Sequence, residues 1–177
     1  MISYSHPMLG FCAFSGAGKT TLLTHLLPLL QSAGLHIGVV KHAHHDFDID
    51  YPGKDSYELR KAGAEQMVVA SRKRMAWIRE FGDHRSEPSL QEALNALNTA
   101  SLDLVLVEGF KTEQIPKIEV HRADLGKPPL FPDDPDIIAI ATDSELPVQM
   151  CQLPQLNLNL PAEIADFILH DWLKPDQ

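Results

Sequence analysis

Cysteine is scarce in this chain: only Cys12 and Cys151 occur among its 177 residues. Two thiols build neither a disulfide framework nor a cysteine-rich metal site, and a reducing cytoplasm is the expected setting. No apolar run approaches the length needed to span a bilayer, so no membrane role is expected. The amino terminus lacks a basic stretch followed by a long apolar core, which argues against a secretory signal. There is no excess of positive charge either. The formal net charge is -9, which excludes a general nucleic-acid-binding role. The imbalance is local: from residue 130 onward there are nine acids and one base, Lys174, and residues 1–129 come out close to neutral. No internal repeat or low-complexity segment interrupts the chain. What remains is ordinary for a globular protein, 44% hydrophobic and 22% charged, and the length suits a single domain over 1–177 with a substantial core.

Against that background one run stands out, Phe11-Cys12-Ala13-Phe14-Ser15-Gly16-Ala17-Gly18-Lys19-Thr20-Thr21. An apolar strand, a glycine loop and a helix opening with Gly-Lys-Thr have the layout of a Walker A phosphate-binding loop. Gly16 and Gly18 carry no Cβ, so the backbone can take unusual dihedrals and approach an oxyanion closely. Successive amides then point inward, with the positive end of the next helix behind them. Ser15, Gly16, Ala17, Gly18, Lys19, Thr20 and Thr21 are therefore the candidate phosphate-binding residues. Lys19 would reach the β- and γ-phosphates, and Thr20 would offer its hydroxyl to Mg²⁺. One departure is visible: Ala13 stands where the pattern has its first glycine.

The rest of the chain alternates strands and helices. Strands are predicted over 8–14, 37–41, 103–107, 115–121 and 137–141. Helices are predicted over 19–31, 88–98 and 162–173. The first helix carries a leucine stripe, and Pro28 inside it predicts a kink or the end of its regular part. Gly34 is its expected stop. Asp55 and Glu58 read as a capping box for another helix ending near Gly63. Residues 66–70 and 74–79 read as a hairpin around Ser71-Arg72-Lys73, a candidate antiparallel edge of the sheet. A polar loop covers 42–53 and a proline-rich loop 126–135. The pattern is α/β: a mainly parallel sheet flanked by helices, with an antiparallel hairpin addition.

A Walker A loop needs a metal-organising carboxylate. The segment Leu102-Asp103-Leu104-Val105-Leu106-Val107-Glu108-Gly109 resembles a Walker B strand with glutamate for aspartate. In an open α/β sheet, ligands bind at the carboxyl ends of parallel strands. Glu108 lies at that end and Asp103 at the other, so Glu108 is assigned to Mg²⁺, directly or through water.

After the second strand, His42, His44, His45, Asp46 and Asp48 fall within seven positions. Three readings stay open: a transition-metal site, a switch loop with an aspartate on Mg²⁺ or a water, and a polar surface loop. Asp48 or Asp46 would be the acid on the metal side. The usual guanine signature, Asn/Thr-Lys-x-Asp, is missing; Leu173-Lys174-Pro175-Asp176 is a decoy with the wrong first residue. Ala141-Thr142-Asp143 follows a late strand, the right place for a base-reading loop. A carboxylate there can accept from the ring N–H and exocyclic amine of guanine, or simply cap a turn. The trio Arg72-Lys73-Arg74 has two readings, a holder of a second phosphate and a solvated turn, and the solvated turn is favoured.

Three blocks carry a family resemblance: Phe14 through Thr21; Val40-Lys41-His42 through Asp50 with Pro52-Gly53-Lys54-Asp55-Ser56-Tyr57-Glu58-Leu59-Arg60-Lys61-Ala62-Gly63-Ala64; and Leu106-Val107-Glu108-Gly109-Phe110-Lys111. Together they resemble the MobB family of molybdopterin-guanine dinucleotide biosynthesis adaptor proteins. The resemblance spans most of residues 8–143, and the middle block is its specific part. It implies a P-loop NTPase fold, a homodimer, GTP binding with Mg²⁺, and weak or no GTPase activity. It also implies work on molybdopterin with a MobA-type guanylyltransferase, the enzyme that joins GMP to it. No residue clearly positions an attacking water, and no arginine finger is obvious. Two alternatives are a nickel- or zinc-delivering metallochaperone GTPase using His42, His44 and His45, and a small-molecule kinase, which would need a lid and an acceptor-binding base.

Overall fold

The computed structural model describes residues 2, 4–43, 47–82, 85 and 87–173. In chain order the elements are β1 (Met8–Cys12), α1 (Lys19–Ser32), β2 (Ile37–Lys41), α2 (Asp55–Lys61), β3 (Gln66–Ala70) and β4 (Met75–Arg79). There follow α3 (Leu90–Asn95), β5 (Leu104–Glu108), β6 (Lys117–His121), β7 (Ile137–Thr142), β8 (Gln155–Asn157) and α4 (Pro161–Asp166). They form two compact units, Met1–His42 with Ser89–Gln177, and Ala43–Pro88.

The first unit is a six-stranded sheet in the order β2-β5-β1-β6-β7-β8, parallel throughout. The interior strand β5, between β2 and β1, is Leu-Val-Leu-Val-Glu, with the four aliphatic residues fully buried. Alternation sends Leu104 and Leu106 to one face, where they meet Leu22, Leu26 and Leu30 of α1 and Ile164 of α4. Val105 and Val107 go to the other face, with Leu90 and Leu94 of α3. The register sets Phe11 and Lys41 on either side of Glu108. Gly10 pairs with Lys117, and a Cβ there would lie 2.7 Å from the Lys117 side chain. That side chain runs inward to the Glu113 carbonyl and the Asp134 carboxylate, at 2.8 and 2.9 Å. Two strand positions on, buried Glu119 accepts from the amides of Leu130 and Phe131 and so anchors the proline-rich loop.

The structure corrects several expectations. Pro28 neither ends nor breaks α1, which continues to Ser32. A proline inside a helix costs about 3 kcal/mol. Leu22, Leu23, Leu26 and Leu30 are buried, each stabilising by roughly 1.5–3 kcal/mol, and so outweigh it. The helix then stops at Gly34 (φ 93°), and the Leu35 amide donates to the Leu30 carbonyl. Asp55 is not an N-cap: it lies within the first turn of α2, behind Lys54. Glu58 reaches back instead to the Gly53 amide at 3.2 Å, because the chain enters the helix one residue earlier. A true capping box occurs at α3, where Ser89 and Glu92 exchange bonds. α3 stops at Asn95, short of the predicted end. The predicted last helix is α-helical only over α4, and Phe167–Trp172 continues it in a wider π-type coil. The short edge strand β8 was not expected.

The second unit holds α2 and the hairpin of β3 and β4, which pairs Gln66 with Arg79 through Ala70 with Met75. This hairpin is a two-stranded sheet by itself rather than an edge of the main sheet. Its turn, Ser71 to Arg74, is closed by the Ser71 amide donating to the Arg74 carbonyl at 2.8 Å. Arg72, Lys73 and Arg74 are exposed there. Among the described residues of this unit, Arg60 alone is buried.

Candidate functional site

Between β1 and α1 the chain bends sharply. Gly16 and Gly18 both adopt left-handed dihedrals, φ 85° and 94°, which a side chain would strain. Gly18 is the N-cap of α1, and no side chain caps the helix start. The amides of the first turn and the positive end of a 14-residue helix therefore face outward together. Lys19, half-buried, projects from that turn. Burial, and then the nearby Lys111 ammonium, hold its pKa below the ordinary lysine value, while Glu108 pulls the other way. Lys41 adds to the same depression. Cations that disfavour one another in the free protein are relieved when a polyanion arrives.

The predicted metal residues Thr20 and Glu108 meet. Thr20 Oγ1 donates to Glu108 Oε1 at 3.3 Å, and Lys41 Nζ sits 3.2 Å from Glu108 Oε2. Glu108 is only 13% exposed. Its backbone is clamped as well: the His42 amide donates to the Glu108 carbonyl, and a Cβ on Gly109 would lie 2.6 Å from that of His42. Phe110, at φ 49°, stacks on the His42 ring with centroids 4.6 Å apart. A left-handed phenylalanine is uncommon. A hydroxyl and a carboxylate are hard oxygen donors of the kind Mg²⁺ takes. Asp103 lies at the far end, where it accepts from the His36 amide at 2.7 Å and pairs with the His36 ring at 3.0 Å. That amide bond is the main reason its carboxyl titrates below the ordinary aspartate value.

Asp48 is placed in the second unit, paired with Arg60 at 3.0 Å. Arg60 also binds Asp50 and Glu80. His44, His45 and Asp46 lie outside the described residues, as do Lys174 and Asp176 of the decoy. Among the described residues no cluster of three or more histidine, cysteine, aspartate or glutamate side chains could hold a metal. Cys12 is buried as expected, and burial, with Glu119 nearby, pushes its thiol up to about 12.

Asp143 stands at the end of β7. Its Oδ1 accepts from the Ala123 amide at 3.1 Å and its Oδ2 from Arg122 Nη1 at 3.2 Å. It lines a hollow of about 570 Å³ with Ser144, Glu145, Asn157, Asn159 and Glu163. A second hollow, about 230 Å³, is bordered by Gly18, Thr21, His25, Arg122 and Asn159. Lys41, Lys111, Arg122 and Asn159 were not singled out from the sequence. For Lys41 and Arg122 a signal existed: each ends or directly follows a parallel strand, at the carboxyl edge where ligands collect.

Comparisons with known proteins point to one family. Residues 8–143 match the family model described as "MobB: Molybdopterin guanine dinucleotide synthesis protein B". The chain is 46% identical over 169 residues to the molybdopterin-guanine dinucleotide biosynthesis adapter protein of Escherichia coli (strain K12), covering 95% of this chain and 94% of that one. It is 40% identical to the protein of the same name from Haemophilus influenzae, covering 94% and 89%. The crystal structure of Bacillus subtilis MobB superimposes with a TM-score of 0.69 at 25% identity, covering 92% and 96%.

Proposed function

The chain belongs to the MobB family, and on that premise we propose that it is a GTP-binding adapter protein in molybdopterin-guanine dinucleotide biosynthesis. The amides of Ser15 to Thr21 and the Lys19 ammonium bind the triphosphate. Lys41 and Lys111 add positive charge beside it. Thr20 and Glu108 hold Mg²⁺, which offsets charge on the phosphates when bound. Asp143 reads the guanine edge. The observation that carries this reading is the doubly left-handed glycine bend opening an uncapped helix beside the Thr20–Glu108 contact.

Hydrolysis is slow or absent on this reading, and the protein serves as an accessory to a MobA-type guanylyltransferase acting on molybdopterin. It works in the cytoplasm; among the described residues no helix is long and apolar enough to cross a membrane. It acts as a homodimer. The exposed Val68, Val69, Met75 and Trp77 of the hairpin support that assembly, since a lone two-stranded ribbon is marginal in water.

Calorimetry with GTP and ATP, with and without Mg²⁺, tests the reading. GTP should bind more tightly than ATP and need Mg²⁺ for full affinity. Lys19→Ala should lose binding by about two orders of magnitude while its thermal melt stays near wild type, as expected when a charge-assisted contact to phosphate is removed. Unchanged GTP affinity in that variant would remove the phosphate-loop assignment.

A further inference from the structure

We propose that Arg122 is the positioning residue for guanine recognition: it fixes the Asp143 carboxylate and ties it to the phosphate loop. The inference rests on the GTP reading above and adds to it a residue that no phosphate-loop or base-reading signature contains.

The argument starts from hydrogen-bond capacity. A guanidinium has five N–H donors in a rigid fork, and a carboxylate has about four acceptor sites. Arg122 directly follows β6, and Asp143 directly follows the adjacent strand β7. Arg122 Nε donates to the Ala17 carbonyl at 3.3 Å, and its Nη1 donates to Asp143 Oδ2 at 3.2 Å. One planar group therefore bridges the phosphate loop and the candidate base reader. On the other side, the Ala123 amide holds Asp143 Oδ1 at 3.1 Å. Each carboxylate oxygen is thus used once from the protein side and keeps acceptor capacity. Two adjacent acceptors are what the ring N–H and the exocyclic amine of guanine require, and adenine offers no such pair of donors.

Charge sorts the ligand in the same direction. The hollow under Asp143 also carries Glu145 and Glu163, so it repels phosphates and accepts the donor-rich edge of a purine. The hollow under Arg122 borders Gly18 and Thr21, beside the helix start that attracts anions. Arg122 stands where these two environments join, with its Nη2 3.5 Å from where a Cβ on Gly18 would be. Without it, Asp143 keeps only the Ala123 amide as a strut, and its carboxylate can rotate away from the productive pose. Lysine cannot replace the fork, because one ammonium on a flexible stem does not hold two acceptors in a fixed plane.

The test measures binding of GTP, ATP and inorganic triphosphate to wild type, Arg122→Met, Arg122→Lys and Asp143→Asn, by calorimetry with Mg²⁺. Inorganic triphosphate isolates the phosphate loop from the base. Arg122→Met should weaken GTP about tenfold or more, in line with the loss of a charged hydrogen bond. It should leave ATP and inorganic triphosphate within about twofold, so that the preference for GTP collapses. Arg122→Lys should recover little of that preference. Asp143→Asn should lose the same preference, and the double variant should be no worse than Asp143→Asn alone. A preserved GTP-to-ATP ratio in Arg122→Met overturns the proposal. So does an equal loss of GTP and inorganic triphosphate, which would make Arg122 a phosphate ligand. Wild type that binds inorganic triphosphate without preferring GTP overturns it while leaving the phosphate loop intact. Failure of wild type to bind either GTP or inorganic triphosphate overturns the underlying nucleotide reading instead.

Discussion

The two units of this chain are held together by different forces. In the sheet unit, β5 and its neighbours bury aliphatic side chains on both faces, against α1 and α4 on one and α3 on the other. In the 43–88 unit, Phe47, Ile49, Tyr51, Leu59, Val68, Val69, Met75, Trp77 and Phe81 are all exposed, and among the described residues the one buried is an arginine. The Arg60 side chain is 5% exposed and gathers Asp48 and Asp50 from one loop and Glu80 from the end of the hairpin. Those carboxylates hold the guanidinium pKa further above its already high ordinary value. Apolar burial is non-directional and tolerates shifts, whereas a buried charge needs every partner in place. The sheet unit can therefore keep its shape under conditions that dissolve the other, and the glycine bend before α1 is built on the durable one.

The largest effect is expected from damaging the apolar side of this contrast. Leu26→Ala empties a fully buried position under the sheet and should cost about 2–5 kcal/mol of unfolding free energy. Denaturant melts should show the midpoint falling. A loss below about 0.5 kcal/mol would mean that this core is not what holds the sheet unit.

Breaking the ionic side should be smaller and local. Arg60→Met keeps the stem but leaves three carboxylates facing one another. Hydrogen exchange across residues 47–82 should speed up by roughly tenfold, with β1, β5 and β6 unchanged. Equal loosening of both units would remove the distinction between them.

The smallest effect, and the sharpest for the comparison, is acid. The Arg60 guanidinium beside Asp50 is the first cause holding that carboxyl below its ordinary value of 3.8. Its stabilisation is therefore complete above that value and lost as pH falls toward the depressed one. Glu119 in the sheet unit has the opposite sign: burial raises its pKa above the ordinary 4.5. Its contribution is present below 4.5 and disappears as pH rises through the raised value. Acidification from neutral should thus loosen 47–82 before β6 and the 126–135 loop that Glu119 anchors, read as protection factors over a pH series. Simultaneous loss in both would contradict the assignment.

The local features of the site were readable before any coordinates. Gly16, Gly18, Lys19 and Thr20 lie within five consecutive positions, and their chemistry depends on short-range geometry alone. The aliphatic run ending at Val107 marked a strand, and the strand-end rule placed Glu108 at the loop and Asp103 away from it. Of the two expectations for Pro28, an end to the regular helix does not occur, because four buried leucines hold α1 down. The Asp55 box misled because Lys54, one residue earlier, is where the backbone turns. The hairpin was recognised, but nothing in its own pattern says whether it joins the main sheet.

The sequence by itself determined the strand-glycine loop-helix turn at 15–21, the parallel α/β alternation and the family resemblance, because each is written in contiguous residues or in a period of two or about four. Tertiary structure alone decided that Arg122 reaches both Ala17 and Asp143, and that Arg60 collects its three acids. Those partners lie 10 to 105 positions apart. Their meeting depends on which strands lie side by side and where the chain folds back, and no local preference encodes that order.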